Sequence, residues 1–429
     1  MKIALLTHGT RGDVQPFLAL AHALEARGHE VVLGAPANLV GFVDRCGVRS
    51  APLAIDSQAF LESEEGRKWL ASGHVREFTE RMLALFHQHA EALDRDVLAA
   101  CEGADAIIAG ALMEDRAACV AEARGLPLAL VHMFPVRVTG DYASGVVTGR
   151  TLPFRFLNRA TYALFDHLFW RASRDDINAL RSRLGLPATT LSTAARSASA
   201  RTLIVNAYSR HIVPPPSDWP EEQIVTGAFA FPESLRARLD EGRPPADLAA
   251  FLDAGPAPVF LGFGSMPVTD PEAMMRVVAA VTERLGVRAV VGAGWSKLVH
   301  LGSSLPERVS IVDTVNHEWL LPRCAAAVHH GGSGTTAAVL RAGLPALVTS
   351  VFADQPFWGA RVERLGVGVH VPYRRLTEAT LAAGLARVLT PEARARASAL
   401  GAAIRSEEDG VPVAVRAIES RFASAPAGE

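Results

Sequence analysis

Ala326-Ala327-Val328-His329-His330-Gly331-Gly332-Ser333-Gly334-Thr335-Thr336-Ala337-Ala338-Val339-Leu340 reads as an apolar strand, a glycine-rich turn and the opening of a helix. Glycines let a backbone approach a ligand closely, and the free N–H groups and positive dipole end of a helix attract phosphate. The stretch lacks the Walker lysine and the GxGxxG order, and a tight turn with no ligand is the plainer alternative. His329 and His330 alternate across the strand, so at most one of them faces the ligand; His330, next to the turn, is the candidate. The following turn, Val348-Thr349-Ser350-Val351-Phe352-Ala353-Asp354-Gln355-Pro356, puts an Asp-Gln pair on the same sheet edge. A carboxylate beside an amide suits vicinal sugar hydroxyls, although Asp354 with Pro356 also fits a helix N-cap.

Around this stretch, Val259–Gly264, Ala289–Val291, Val309–Asp313, Ala326–His330 and Ala346–Ser350 are strand-like. Helical patterns at Pro271–Leu285, Glu318–Cys324, Thr335–Ala342 and Pro356–Leu365 separate them. The first half alternates in the same way, with strands at Lys2–Thr7, Glu30–Ala35, Ala106–Ala109, Leu126–Phe134 and Thr202–Asn206 and a helix at Val14–Arg27. Strands joined by helical crossovers form parallel sheets covered on both faces. The chain is therefore expected to be α/β, with two doubly wound, Rossmann-like halves. Ligands of such sheets bind beyond the carboxyl ends of the strands, so two facing halves define a cleft. Pro214-Pro215-Pro216, followed by Pro220, cannot continue a helix or a central strand and is the expected linker. The expected units are residues 1–215, 216–405 and 406–429, the last with a helix at Val411–Phe422 that crosses back to the first half.

Composition narrows the classes. With 43 basic and 45 acidic residues in 429, a formal charge of −2 argues against a sequence-independent nucleic-acid binder. A hydrophobic share of 49% with 21% charged residues suits a full core and argues against disorder. Cys46, Cys101, Cys119 and Cys324 show no CxxC or His-paired spacing, so neither a zinc site nor a disulfide framework is expected. The apolar run Ile3–Leu6 is too short for a signal-peptide core, and no uninterrupted run approaches the roughly 20 residues that span a bilayer. A cytoplasmic protein is expected. Lysine is confined to Lys2, Lys68 and Lys297 while arginine abounds, which suggests a GC-rich bacterial genome.

The block from Val315-Asn316-His317-Glu318-Trp319-Leu320-Leu321-Pro322 through His330–Thr335 to Asp354-Gln355-Pro356-Phe357-Trp358-Gly359-Ala360 resembles the donor-binding signature of family 1 glycosyltransferases. Gly9-Thr10-Arg11-Gly12-Asp13-Val14-Gln15-Pro16-Phe17 is similar to the opening of the branch that holds bacterial natural-product glycosyltransferases and sterol 3β-glucosyltransferases. The resemblance implies the GT-B fold, with an N-terminal acceptor-binding domain and a C-terminal nucleotide-sugar-binding domain. It implies that Ser265, His330, Gly332, Gly334 and Thr335 hold a diphosphate, and that Asp354 and Gln355 hold the sugar. It further implies that Trp295, Val315 and His317 line the nucleoside and that Arg11 and Gly12 form a loop near the donor. Ser265 also reads as a turn residue and Trp295 as packing. Metal and cofactor are not expected, the leaving charge being met by the helix end and His330.

Asp13 carries the expected chemistry. Attack by a hydroxyl on an anomeric carbon requires removal of the hydroxyl proton, which a positioned carboxylate can do. Many relatives place histidine here; Gly-Asp matches the sterol and antibiotic branch. Asp13 also reads as an N-cap. His8 is a reserve base, Arg11 a partner of the phosphates or of Asp13, and Glu114 and Asp115 candidate assistants. The expected reaction is inverting transfer of a hexose, glucose from UDP-glucose, to a hydroxyl of a lipophilic acceptor such as a sterol, triterpenoid, polyketide or flavonoid. A sugar-nucleotide epimerase and a silent auxiliary protein of the same fold are the other classes. Leu152–Arg174 interleaves Phe154, Phe156, Leu157, Tyr162, Leu164, Phe165, Leu168, Phe169 and Trp170 with arginines at helical spacing. It reads as a helix packed on its own domain, a wall of the acceptor pocket, or a peripheral contact with an anionic inner-membrane surface.

Overall fold

The computed structural model describes residues 1–64, 66, 75–149, 151–242, 244–262, 264, 270–294, 306–313 and 315–424. The first sheet holds β1 (Lys2–Leu6), β2 (Glu30–Pro36), β3 (Arg49–Leu53), β4 (Ala106–Gly110), β5 (Leu128–His132), β6 (Leu203–Asn206) and β7 (Gln223–Val225), in the order β3-β2-β1-β4-β5-β6-β7. The second holds β8 (Val259–Gly262), β9 (Ala289–Gly292), β10 (Val309–Val312), β11 (Ala326–His329), β12 (Ala346–Val348) and β13 (Gly368–His370), in the order β10-β9-β8-β11-β12-β13. All pairings are parallel, with Ile3 opposite both Val31 and Ala106, and Ala327 opposite both Phe260 and Ala346. The continuous apolar runs are buried on both faces. Ile3 and Leu5 enter one core with Phe17, Leu18 and Leu24, whereas Ala4 and Leu6 enter another with Ile107 and Leu130.

The helices that matter for the site are α1 (Arg11–Ala26), α2 (Glu114–Arg124), α3 (Arg155–Arg183), α4 (Thr193–Ser199), α5 (Glu233–Arg238), α6 (His317–Leu320), α7 (Ser333–Arg341), α8 (Gln355–Arg364) and α9 (Gly410–Ala423). Strand order reverses between β1 and β4 and again between β8 and β11. These are the two switch points at which α/β sheets open a crevice, and the turns after β1 and β11 are the two quoted from the sequence.

Two departures from the sequence reading have physical causes. The triple proline was expected to end the first half, but β7 follows it and pairs with β6, Ile204 opposite Gln223. Phe231, Leu235 and Leu239 then also join the first core, so the first unit extends well past residue 215. Strands β3, β7 and β13 were not expected; all are at sheet edges, and β3 carries Pro52, which edges tolerate. The C-terminal helix α9 lays Val411, Ala414, Val415, Ile418 and Phe422 against α1 in the first core, and Arg27 and His29 both bond Glu419.

Candidate active site

Thr10, not Asp13, is the N-cap of α1. The Thr10 hydroxyl oxygen accepts from the Gly12 N–H at 3.2 Å, while Oδ2 of Asp13 accepts from the Thr10 N–H at 2.7 Å and its hydroxyl at 3.3 Å. This is a capping box with Asp13 in the third helical position. Burial pushes the Asp13 carboxyl up to about 6, against the bonds from Thr10 that favour its ionised form. The chain hugs this carboxylate: a Cβ on Gly9, whose φ is +129°, would lie 2.2 Å from its Oδ2.

His8 and Arg11 are engaged elsewhere. The His8 Nε2–H donates to the Ala54 carbonyl at 3.0 Å, the ring meets Phe86 edge-on at 5.2 Å, and burial lowers its pKa to about 4. The Arg11 guanidinium pairs with Glu241 at 2.7 Å and Gln15 at 3.1 Å and lies over Phe42. Neither was expected from the sequence.

Across the cleft, β11 delivers the two histidines to opposite faces. His329 is fully buried and its Nδ1 accepts from the Gly331 N–H at 3.1 Å. His330 lines the cleft, and burial lowers its pKa to about 4, leaving it neutral. Gly332 must lack a side chain, because a Cβ there would sit 2.4 Å from the His330 Nε2. As the N-cap of α7 it supplies no capping group, so the first N–H groups of that helix lack intrahelical partners.

Asp354 stands at the N-cap of α8 but makes no cap bond; its Oδ2 accepts instead from the Trp358 indole at 2.7 Å. Burial, and to a smaller degree the charge of Asp13, raise its pKa to about 7 against that indole bond. The Gln355 Oε1 accepts from the N–H groups of Val351 and Phe352 at 2.8 and 3.2 Å. His317, at the start of α6, stands edge-on to Phe260 at 5.3 Å, and burial with Arg236 and Arg11 nearby lowers it to about 4. Ser265 and Trp295 lie outside the described residues.

One cavity of about 1970 Å³ is lined from both sheets. Its walls include Arg11, Gly12, Asp13, Val315, His317, His330, Gly332, Gly334, Thr335, Asp354 and Gln355. The described residues that the sequence marked for the donor and the base therefore meet in a single space, whereas Asp115 lies outside its lining.

The sequence profile of the glycosyltransferase family 28 N-terminal domain matches residues 3–140, and that of the erythromycin biosynthesis protein CIII-like C-terminal domain matches residues 289–419. An uncharacterized glycosyltransferase of Mycobacterium leprae is 31% identical over 425 residues, spanning 98% of this chain and 97% of its own. A sterol 3-beta-glucosyltransferase of Arabidopsis thaliana is 33% identical over 429 residues, spanning 97% of this chain and 67% of the plant protein. The chain belongs to the glycosyltransferases. Its GT-B architecture is shared with the glycosyltransferase of kitacinnamycin, at a TM-score of 0.71 and 20% identity over 98% of this chain and 99% of that one. The calicheamicin glycosyltransferase CalG4 matches at 0.69 and 17% identity over 99% of both.

This glycosyltransferase also carries cleft residues that sequence reasoning passed over or misdirected. Glu114, at the start of α2, accepts from the His132 Nε2–H at 3.0 Å and from Arg137 at 3.1 and 3.3 Å. Burial would raise its pKa, but Arg137 and His132 outweigh that and hold it below the usual value; it is tied to them and not to Asp13. Asp115 turns toward Thr193 and Arg196. Arg236, from α5, is almost buried over the Phe231 ring, 3.6 Å from Glu318. No sequence motif marks it, since an isolated arginine in a polar helix has no pattern. From the α3 stretch, Tyr162, Phe165 and Phe169 line the cavity while Phe154, Phe156, Leu164 and Leu168 are exposed.

Proposed function

We propose that this glycosyltransferase moves a hexose from a nucleoside diphosphate sugar, with UDP-glucose as the donor to try first, to a hydroxyl of a lipophilic acceptor with inversion. The observation that carries this reading is the pairing of a half-buried, cleft-lining carboxylate at one switch point with an uncapped helix end at the other. The acceptor hydroxyl gives its proton to Asp13 as its oxygen bonds to the anomeric carbon. The bond from that carbon to the diphosphate oxygen breaks, and its electron pair leaves on the nucleoside diphosphate. With a carboxyl near 6, Asp13 is ionised at neutral pH yet basic enough to help.

The amides opening α7, with Ser265, hold the leaving diphosphate, and neutral His330 contributes a hydrogen bond to it. Asp354, which has one carboxylate oxygen beyond the indole bond, and the Gln355 amide nitrogen take sugar hydroxyls. Trp295, Val315 and His317 flank the nucleoside. Because these groups meet the charge themselves, turnover should survive chelation of divalent metal. The acceptor unit runs from the N-terminus to about Leu239, and the donor unit follows it.

Two observations on relatives support the substrate classes without fixing them. Sterol 3-beta-glucosyltransferases are among the relatives, and the spinosyn rhamnosyltransferase SpnG has been solved with spinosyn aglycone and with thymidine diphosphate. Incubating the protein with UDP-glucose or TDP-glucose and a panel of sterols, flavonoids and macrolides, with mass detection of one added hexose, tests the proposal. No adduct with any pair would contradict it. The exposed Phe154, Phe156, Leu164 and Leu168 beside Arg171 also support a peripheral contact with an anionic membrane. No described helix is long and apolar enough to cross one. Co-sedimentation with phosphatidylserine vesicles is the check, and recovery in the supernatant would refute the contact.

A further inference from the structure

The cavity extends far beyond the two turns that would hold donor and base. Ala207, Tyr208 and Ser209, past the carboxyl end of β6, line it; so do Arg201 and Thr202 before the amino end of that strand, and Glu221, Glu222 and Gln223 at the amino end of β7. From Thr202 to Ala207 the chain advances about 17 Å at the rise of a strand. The space therefore reaches past both ends of β6 and touches the strand between them at Ile204. Its walls on this course are Ile204 on the sheet, Phe165 and Phe169 on α3, and Ala194, Ala195 and Ala198 on α4. Small alanines and phenylalanines in one lining leave room for a chain and offer it apolar contact. At the far mouth Arg201 pairs with Glu221 at 2.7 Å and with Glu222, so the arm ends in charged, solvated groups and not in a closed apolar wall.

Resting on the glycosyltransfer reading above, we infer that the acceptor is an elongated amphiphile. Its hydroxyl lies at Asp13 and its hydrocarbon tail runs beneath α3 and α4 toward Arg201. A compact polycyclic acceptor would leave this arm filled with water against alanine and phenylalanine side chains. A linear tail displaces that water and gains roughly fourfold in affinity per methylene buried. Once the tail reaches the open mouth, further methylenes stay in water and add nothing.

The test is a series of n-alkyl β-glucosides from butyl to hexadecyl, with binding followed by calorimetry and turnover followed with UDP-glucose. Affinity should climb with chain length and then level off. Ala198→Trp should cut long-chain affinity at least tenfold, to the short-chain level, while a compact flavonol acceptor is turned over as before. Ala194→Phe repeats the block at a second point on α4 in case the first variant fails to fold. Affinity independent of length, or unchanged by either block, would overturn the channel. Length-dependent binding without any sugar transfer would uphold the channel and fell the catalytic reading.

Discussion

The turns after β1 and β11 occupy equivalent places, each at the switch point of its sheet and each opening a helix, yet their helix ends are finished in opposite ways. At α1 the free N–H groups are closed off by Thr10 and Asp13, and the carboxylate sits where the helix dipole favours it. At α7 the cap is Gly332, which closes off nothing, and the neutral imidazole of His330 packs against it. A capped end presents a negative group and rejects anions; an open end attracts them. On the proposed reading, a few side chains give the same βα turn base chemistry in one half and phosphate binding in the other.

Breaking the acidic end should have the largest effect. Asp13→Asn keeps an oxygen for the Thr10 cap but removes the proton acceptor, and turnover should fall about 10²- to 10⁴-fold with the fold intact by circular dichroism. Breaking the open end comes next. Gly332→Ala places a Cβ 2.4 Å from the His330 Nε2, so the ring must move, and donor KM in steady-state assays should rise about tenfold or more with acceptor KM little changed. His330→Ala should weaken the donor less, by several-fold, because the helix amides remain.

Thr10→Ala is a smaller lesion. It removes half of the capping box and should cost about 1 kcal/mol in urea unfolding. The smallest effect is on stability against pH. Asp13 and Asp354 titrate near 6 and 7 when folded, above their usual values. The folded state therefore binds their protons more tightly, and stability declines as pH rises from about 4 to about 7. Asp354→Asn should flatten that decline in thermal melts and leave the melting temperature unchanged at the acid end.

Much of this contrast was legible in the sequence. The apolar runs with helical crossovers fixed two parallel sheets, because strands buried on both faces have no polar alternation to confuse them. Gly331-Gly332 and Gly9-Thr10-Arg11-Gly12-Asp13 announced the turns through residue types that only special backbones require. Three of the four edge strands were missed since short, half-exposed segments such as Gln223–Val225 carry too few residues for a pattern. The place of Asp13 within its cap was off by three positions, for Thr10 and Asp13 are both good capping residues and only the hydrogen bonds distinguish them. Long-range pairings such as Arg11 with Glu241 and Glu114 with His132 and Arg137 bring together residues far apart in the chain, and nothing local signals them.

The central claim is that Asp13 is the base facing a donor held at the open helix end. Single-turnover rates with saturating UDP-glucose, measured against pH for the wild type and Asp13→Asn, test it most directly. The wild-type rate should rise tenfold per unit below about 6 and level above it, and the variant should lose both the rate and this acid limb while binding UDP-glucose as tightly as before. A variant that kept near wild-type rates with the same limb would contradict the account.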